Sequence, residues 1–186
     1  MTNSNDFTRL DLWHNDAFHE YPAIVAHEYK RLHDLLENGQ IYGALLQLKD
    51  LYEVILKLPV LVGVSILYKK KNRSNDEEKL LQKLFNKPLS LGDWEQVGQK
   101  LKGDELKNLW SSQNSEAVRV NLQATLQEYT DNEFSHWRNK TIGHGALSLN
   151  ENGEVDKDIK KFLERLKAFF SNQDSFYKTA QLKIIS

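Results

Sequence analysis

The sequence has no cysteine among its 186 residues, and it has no excess charge of either sign. Without cysteine, the chain forms neither disulfides nor thiolate zinc sites, and a reducing compartment is compatible with it. The formal net charge is −1, so no overall positive field attracts nucleic acid. Any binding of RNA must therefore use a local basic cleft, and we expect it to be weak and sensitive to salt.

The sequence also lacks a signal peptide and an obvious membrane span. Its first 16 residues are polar and acidic, with no apolar signal core. The longest apolar stretch runs from Val54 to Leu67 and is interrupted by Lys57 and Pro59. At roughly 14 residues it is shorter than the ~20 that a membrane helix needs. We therefore predict a cytoplasmic protein that has no membrane partner.

The composition is that of a soluble globular protein, with 40% hydrophobic and 27% charged residues. A chain of this length suits one domain with a single core, and we assign residues 1–186 to one helical domain. The apolar spacing near the C-terminus stops abruptly at Ser186, so we also consider that this is the N-terminal part of a longer protein.

Apolar residues recur at spacings of three and four along most of the chain, which predicts an all-α bundle of four or more helices. Pro22 and Gly39 are placed to begin and end the first helix. A second helix is predicted over 40–71, apolar on several faces, which Pro59 should kink or split. Ser74 and Glu77 have the spacing of a capping box before a short helix over 76–85.

The second half of the chain continues this pattern. Glycines 92, 98 and 103 make 88–103 the least regular region, with a loop and then a short helix. A long helix is predicted over 115–142, and a final amphipathic helix over 155–170. The tail, 171–186, keeps only part of the apolar spacing. Trp13 and Phe18 are expected to dock on the bundle.

Polar groups are concentrated where the long helix is predicted to end. This segment contains Arg138, Asn139, Lys140, Thr141, Gly143, His144 and Gly145. Cleavage of RNA without a metal needs a base to take the proton of the ribose 2'-hydroxyl, and histidine titrates in the right range. It also needs a cation on the scissile phosphate, and arginine can hold two phosphate oxygens at once. A neutral amide can orient the histidine or a phosphate oxygen.

Arg138-Asn139 followed by His144 resembles the ribonuclease signature of the HEPN family. The sequence Gly143-His144-Gly145 is similar to bacterial HEPN members associated with defence systems, and the segments 24–32 and 88–94 are similar to flanking parts of those proteins. The resemblance implies a HEPN-like helical bundle, a homodimer that brings two motifs together, and metal-independent endoribonuclease activity in antiviral defence or a toxin system.

The resemblance also implies roles for individual residues. Arg138 would bind the phosphate, Asn139 would be its polar companion, and His144 would be the catalytic base or acid. Four neighbours would contact RNA or its phosphates: Lys140, Thr141, Gly143 and Gly145. RNA is the implied partner, no metal or other cofactor is expected, and further domains or an associated regulatory protein stay open as partners.

The spacing of the motif presents a geometric problem. On an ideal helix, Arg138 and His144 lie about 120° apart, so they do not share a face. A distortion at Gly143, or a second chain across a two-fold axis, could bring them together. Two alternatives stay open. One is a non-catalytic HEPN-like module for dimerisation or ligand sensing, and the other is a helix end at which Arg138 and Lys140 complement the helix dipole.

Two other groups of polar residues were considered as sites. His27, Glu28 and His33 do not have the spacing of a zincin motif, and we interpret them as surface residues on an amphipathic helix. The basic run Lys69–Arg73 follows an apolar helix, and we interpret it as a solvated exit rather than a phosphate contact. We expect Trp94 and Trp110 to be core or interface anchors.

Overall fold

The structure is a computed structural model, and it describes residues 7, 10–86, 88–103, 109, 113–131, 134–141 and 154–183. The fold is all-α, as predicted, and no strand occurs within these ranges. The described residues form seven α-helices: α1 (Ala23–Glu37), α2 (Ile41–Lys69), α3 (Asn75–Asn86), α4 (Leu91–Lys102), α5 (Gln113–Asp131), α6 (Phe134–Thr141) and α7 (Glu154–Lys183).

The chain divides into two compact units. The first contains Met1–Val54 and Trp137–Ser186, and the second contains Ile55–His136. The boundaries therefore fall inside α2 and inside α6.

In the first unit, α1 begins and ends where the sequence predicts. Pro22 is the N-cap residue, and the C-cap is Asn38. Gly39 follows with φ of +67°, a left-handed conformation that glycine adopts without steric cost. Its amide and that of Gln40 donate to the carbonyls of Leu36 and Leu35 at 3.0 and 2.8 Å, which satisfies the end of the helix.

The segment before α1 packs on the first unit through aromatic side chains, as expected for Trp13 and Phe18. It contains two short 3-10 turns, Leu10–Leu12 and Asn15–Phe18. Trp13 is buried, and its indole nitrogen donates to the Phe7 carbonyl at 2.7 Å. Its ring lies edge-on to Tyr29, with centroids 5.0 Å apart.

The last helix extends well beyond the predicted end at residue 170. α7 continues to Lys183, so most of the predicted tail is helical. Phe176 and Tyr177 are buried in this extension, and Tyr177 stacks on Tyr21 with ring centroids 5.0 Å apart. Burial of this apolar pair stabilises a segment whose local periodicity is weak.

In the second unit, Pro59 lies inside α2, which is assigned as one helix over Ile41–Lys69 and is not split. The predicted capping box is present at the start of α3. The Ser74 amide donates to the Glu77 carboxylate at 2.7 Å, and the Glu77 amide donates to Ser74 Oγ at 3.3 Å.

The loop and short helix predicted over 88–103 are present, and the helix is α4. A second capping box forms its start, where the Asp93 amide donates to Ser90 Oγ at 3.2 Å and the Ser90 amide donates to Asp93 at 3.1 Å. Gly98 lies inside α4 where the helix meets its neighbours closely, so this glycine reflects close packing within a regular helix.

The single helix predicted over 115–142 corresponds to α5 and α6, which lie on either side of residues 132 and 133, outside the described residues. Near the end of α5, Thr130 Oγ1 donates to the Leu126 carbonyl one turn earlier, at 3.0 Å.

α2 is long and apolar enough, by length and composition, to cross a membrane. Its most apolar 18-residue window has a mean hydropathy of 1.8, and 44% of that window is buried within the protein. The core helix of a soluble protein passes the same test, so this single helix is weak evidence for a membrane span. The cytoplasmic location stays a prediction.

Candidate functional site

The structure describes only part of the predicted site. Arg138 and Asn139 lie in α6 with their side chains described, whereas only the backbone is described for Lys140 and Thr141. Gly143, His144 and Gly145 lie outside the described residues. The structure therefore tests the surroundings of the arginine and not its distance from the histidine.

Arg138 is half-buried, and its Nη1 donates to the Asn139 Oδ1 at 3.2 Å. Its Nε is buried and has no hydrogen-bond partner among the described residues. No carboxylate in the described part of the chain forms an ion pair with this guanidinium. A buried donor without a partner is uncommon in folded proteins, because it loses its hydrogen bonds to water and gains nothing in return.

The residue before Arg138 attaches α6 to α7. The indole nitrogen of Trp137 donates to Asp158 Oδ2 at 2.9 Å. Its ring packs on Phe162, with centroids 4.5 Å apart, and Phe162 also packs against Tyr52 at 5.4 Å. Phe162 is almost fully buried. One hydrogen bond and one ring contact therefore hold the backbone next to Arg138 against α7.

Sequence reasoning missed Asp158 and Phe162 as supports of this site. Their spacing of four residues places them on one face of α7, which a helical projection can show. Nothing local indicates that this face meets Trp137, which lies 21 residues earlier in the chain.

A second polar cluster, also missed by sequence reasoning, joins the segment before α1 to α7. The Lys178 ammonium lies 2.7 Å from Asp174, 2.8 Å from Asp16 and 3.2 Å from Glu20. Hydrogen bonds from its amine to Asp16 and Asp174 raise the pKa of Lys178 above its ordinary value. The Lys178 ammonium is therefore held by carboxylates of the segment before α1 and by a carboxylate of α7.

Tyr21 completes this cluster from the buried side. Its hydroxyl donates to Asp174 at 2.6 Å and approaches the Phe170 carbonyl at 3.2 Å. Burial, and then the hydrogen bond to Asp174, raise the pKa of Tyr21 far above its usual range. Burial opposes ionisation of Asp174, but hydrogen bonds from Lys178 and Tyr21 outweigh it, so the pKa of Asp174 is lowered.

The structure offers two sets of side chains with the spacing of metal ligands. One is His14, Asp16 and Asp174, and the other is His33, Asp34 and Glu37. In the first set, the Lys178 ammonium already contacts both carboxylates. In the second set, Asp34 and Glu37 are exposed, and exposed acidic groups are common without a metal. Neither set supports a metal centre.

The contacts of His27, Glu28 and the basic run Lys69–Arg73 are those expected of surface residues. The His27 side chain is 71% exposed and lies 3.2 Å from Glu28, and Gln47 contacts the Glu28 carboxylate. Within the basic run, Arg73 caps α2 by donating to the carbonyls of Tyr68 and Lys70 at 2.8 and 2.9 Å. These contacts agree with a surface helix and a solvated helix end.

No protein-family model matches the chain, and neither a curated protein nor a solved structure matches it. The resemblance to HEPN proteins therefore stays a prediction from the sequence motif.

Proposed function

We propose that this chain is a metal-independent endoribonuclease of the HEPN type, in which Arg138, Asn139 and His144 carry the reaction. We further propose that it acts as a homodimer and as an effector of bacterial antiviral defence or of a toxin system. The observation that carries the proposal is the Arg138 guanidinium, which is half-buried and has no carboxylate partner among the described residues.

An arginine whose own Nε is buried and unsatisfied, and which has no carboxylate partner among the described residues, is suited to an anionic ligand. A phosphate offers the planar guanidinium two oxygens and satisfies donors that the protein leaves open. The Asn139 amide oxygen accepts from Nη1 of Arg138 at 3.2 Å, which limits the rotation of the guanidinium. Trp137 fixes the adjacent backbone through Asp158. These contacts support a preorganised phosphate contact, which electrostatic catalysis requires.

The proposed reaction is a transesterification within the RNA. His144, as the neutral imidazole, takes the proton of a ribose 2'-hydroxyl, and the 2'-oxygen forms a bond to the adjacent phosphorus. The bond from phosphorus to the 5'-oxygen breaks, and an imidazolium protonates that leaving oxygen. Arg138 stabilises the negative charge that grows on the phosphate. The products are a 2',3'-cyclic phosphate and a 5'-hydroxyl end.

Residues around the histidine have supporting roles in this proposal. Lys140, Thr141, Gly143 and Gly145 would contact the RNA or its phosphates. On a straight helix Arg138 and His144 are about 120° apart, so the proposal requires either a distortion at Gly143 or a second motif from a partner chain.

The test is cleavage of end-labelled single-stranded RNA by the purified chain in EDTA. His144→Ala should lower the rate by roughly 10²–10⁴-fold, the range for loss of general acid–base catalysis. Arg138→Ala should lower it by about 10²–10³-fold, as for loss of one electrostatic contact to the transition state. His136→Ala is the matched control, because His136 is an exposed histidine of α6, the helix that contains Arg138.

The outcomes separate the proposal from its alternative. Equal cleavage by wild type and His144→Ala would overturn the catalytic assignment. No cleavage by any variant, with RNA or nucleotide binding that disappears in Arg138→Ala, would instead support a non-catalytic binding module. Sedimentation of the same samples measures whether the chain is a dimer.

A further inference from the structure

The exposed side of α7 next to the Trp137 contact carries two lysines, Lys157 and Lys161. Both are exposed, and neither forms an ion pair with a carboxylate of the described residues. Lys161 Nζ lies 5.8 Å from the centroid of the Phe162 ring. Trp137 packs on that same ring at 4.5 Å. Through Phe162, the ammonium of Lys161 is therefore close to the residue that precedes Arg138.

Helix geometry places the two lysines in one row. Residues four apart lie on the same side of a helix, separated by about 6 Å along its axis. Lys161 lies about 60° around the helix from Asp158, to which Trp137 donates, whereas Lys160 lies about 160° from it. Lys160 is also exposed, but it lies about 100° around α7 from Lys161 and farther from Asp158 than either lysine of the row.

We propose that Lys157 and Lys161 form a tract that binds the backbone phosphates of single-stranded RNA beside the phosphate held by Arg138. This inference rests on the proposed ribonuclease function and names the form of its substrate. Two compact cations carried by helix positions about 6 Å apart along the axis suit successive phosphates of one strand. Phosphate contacts of this kind position RNA without reading its sequence.

A single strand fits this surface better than a duplex. Proteins that recognise double-stranded RNA contact two successive minor grooves over about 16 base pairs, which a row of two lysines cannot do. The proposed attack by the 2'-oxygen also needs a backbone free to bring that oxygen in line with the leaving oxygen. The net charge of −1 means that such a local tract, and not an overall positive field, must supply the attraction.

The experiment measures the salt dependence of binding to a labelled single-stranded RNA, in a His144→Ala background that prevents cleavage. Each lost phosphate contact should reduce the slope of log K against log salt by about 0.7 for a single strand. Lys157→Gln and Lys161→Gln should each show this decrease, and the double variant about 1.4. Lys160→Gln is the matched control, because it removes the same charge from a neighbouring position. It should leave the slope unchanged, since Lys160 lies outside the proposed tract.

The cleavage assay gives a second readout. In the His144-containing protein, Lys157→Gln and Lys161→Gln should raise KM at low salt and leave kcat nearly unchanged, since they remove binding that is equal in the ground and transition states.

Failure of this inference can be distinguished from failure of the proposed function. Equal slopes for the Lys157, Lys160 and Lys161 variants, while Arg138→Ala still abolishes binding, would overturn the tract and leave the ribonuclease proposal standing. Tighter binding of a duplex than of a single strand would overturn the choice of substrate. If Arg138→Ala and His144→Ala change neither binding nor cleavage, the proposed function itself fails, and the tract fails with it.

Discussion

Gly98 offers a stability test of the second unit, because α4 approaches its neighbours closely at this residue. A β-carbon at Gly98 would lie 3.2 Å from Leu126 Cδ2, 3.3 Å from Val60 Cγ2 and 3.4 Å from Leu122 Cδ1. At Gly92 in the same helix, a β-carbon would meet nothing within 4 Å. The pair Gly98→Ala and Gly92→Ala therefore compares the same chemical change with and without crowding.

Two opposing effects set the magnitude. Replacing glycine by alanine within a helix stabilises it by up to about 1 kcal/mol through propensity. Overpacking a close contact destabilises by about 1–3 kcal/mol, and the χ1 of a valine in a helix is too restricted to yield easily. We expect Gly98→Ala to lower the free energy of unfolding by about 1 kcal/mol, and Gly92→Ala to raise it by about 0.5 kcal/mol.

The assay is thermal and urea unfolding followed by circular dichroism. A difference of about 1.5 kcal/mol between the two variants corresponds to a difference in Tm of roughly 3–6 °C for a chain of this size. Val60→Ala should reduce the cost of Gly98→Ala in a double-mutant cycle, since it removes the methyl group at 3.3 Å. Equal stability of the two glycine variants would show that α4 does not pack as closely as described.

Two further predictions concern carboxylates that accept several hydrogen bonds. Glu77, whose side chain is 3% exposed, accepts hydrogen bonds from Lys70 and the Ser74 amide, so Glu77→Ala should lower the free energy of unfolding by about 1–3 kcal/mol in urea denaturation. The control Glu78→Ala, which removes a partly exposed ion pair with Arg73, should lower it by less than about 1 kcal/mol. Equal losses would contradict the role of burial. Because the pKa of Asp174 is lowered in the folded state, its stabilising contribution is present above the unfolded pKa of about 3.9 and is lost as the pH falls through the folded pKa. Below about pH 4, the Tm of Asp174→Asn should therefore depend less on pH than the Tm of wild type or of the more exposed control Asp34→Asn. An unchanged pH profile would count against the Lys178 cluster.

The sequence by itself determined the helices whose signals are local. Pro22 and Gly39 marked the limits of α1, and Ser74 with Glu77 predicted the start of α3, because caps act within a few residues of backbone. The motif was recognised for the same reason, since its residue types are adjacent in the chain. The chemistry assigned to it stays a prediction.

Only the tertiary structure decided where packing between distant segments outweighs the local sequence pattern. Gly98 suggested an irregular region but permits a close helix contact, and α7 extends past its periodic segment because Phe176 and Tyr177 are buried. Likewise, Trp137 donates a hydrogen bond to Asp158, 21 residues away in the sequence, and Tyr21 donates one to Asp174, 153 residues away. Such contacts depend on how distant segments pack, and the free energy of burial that selects them leaves no signature in either segment alone.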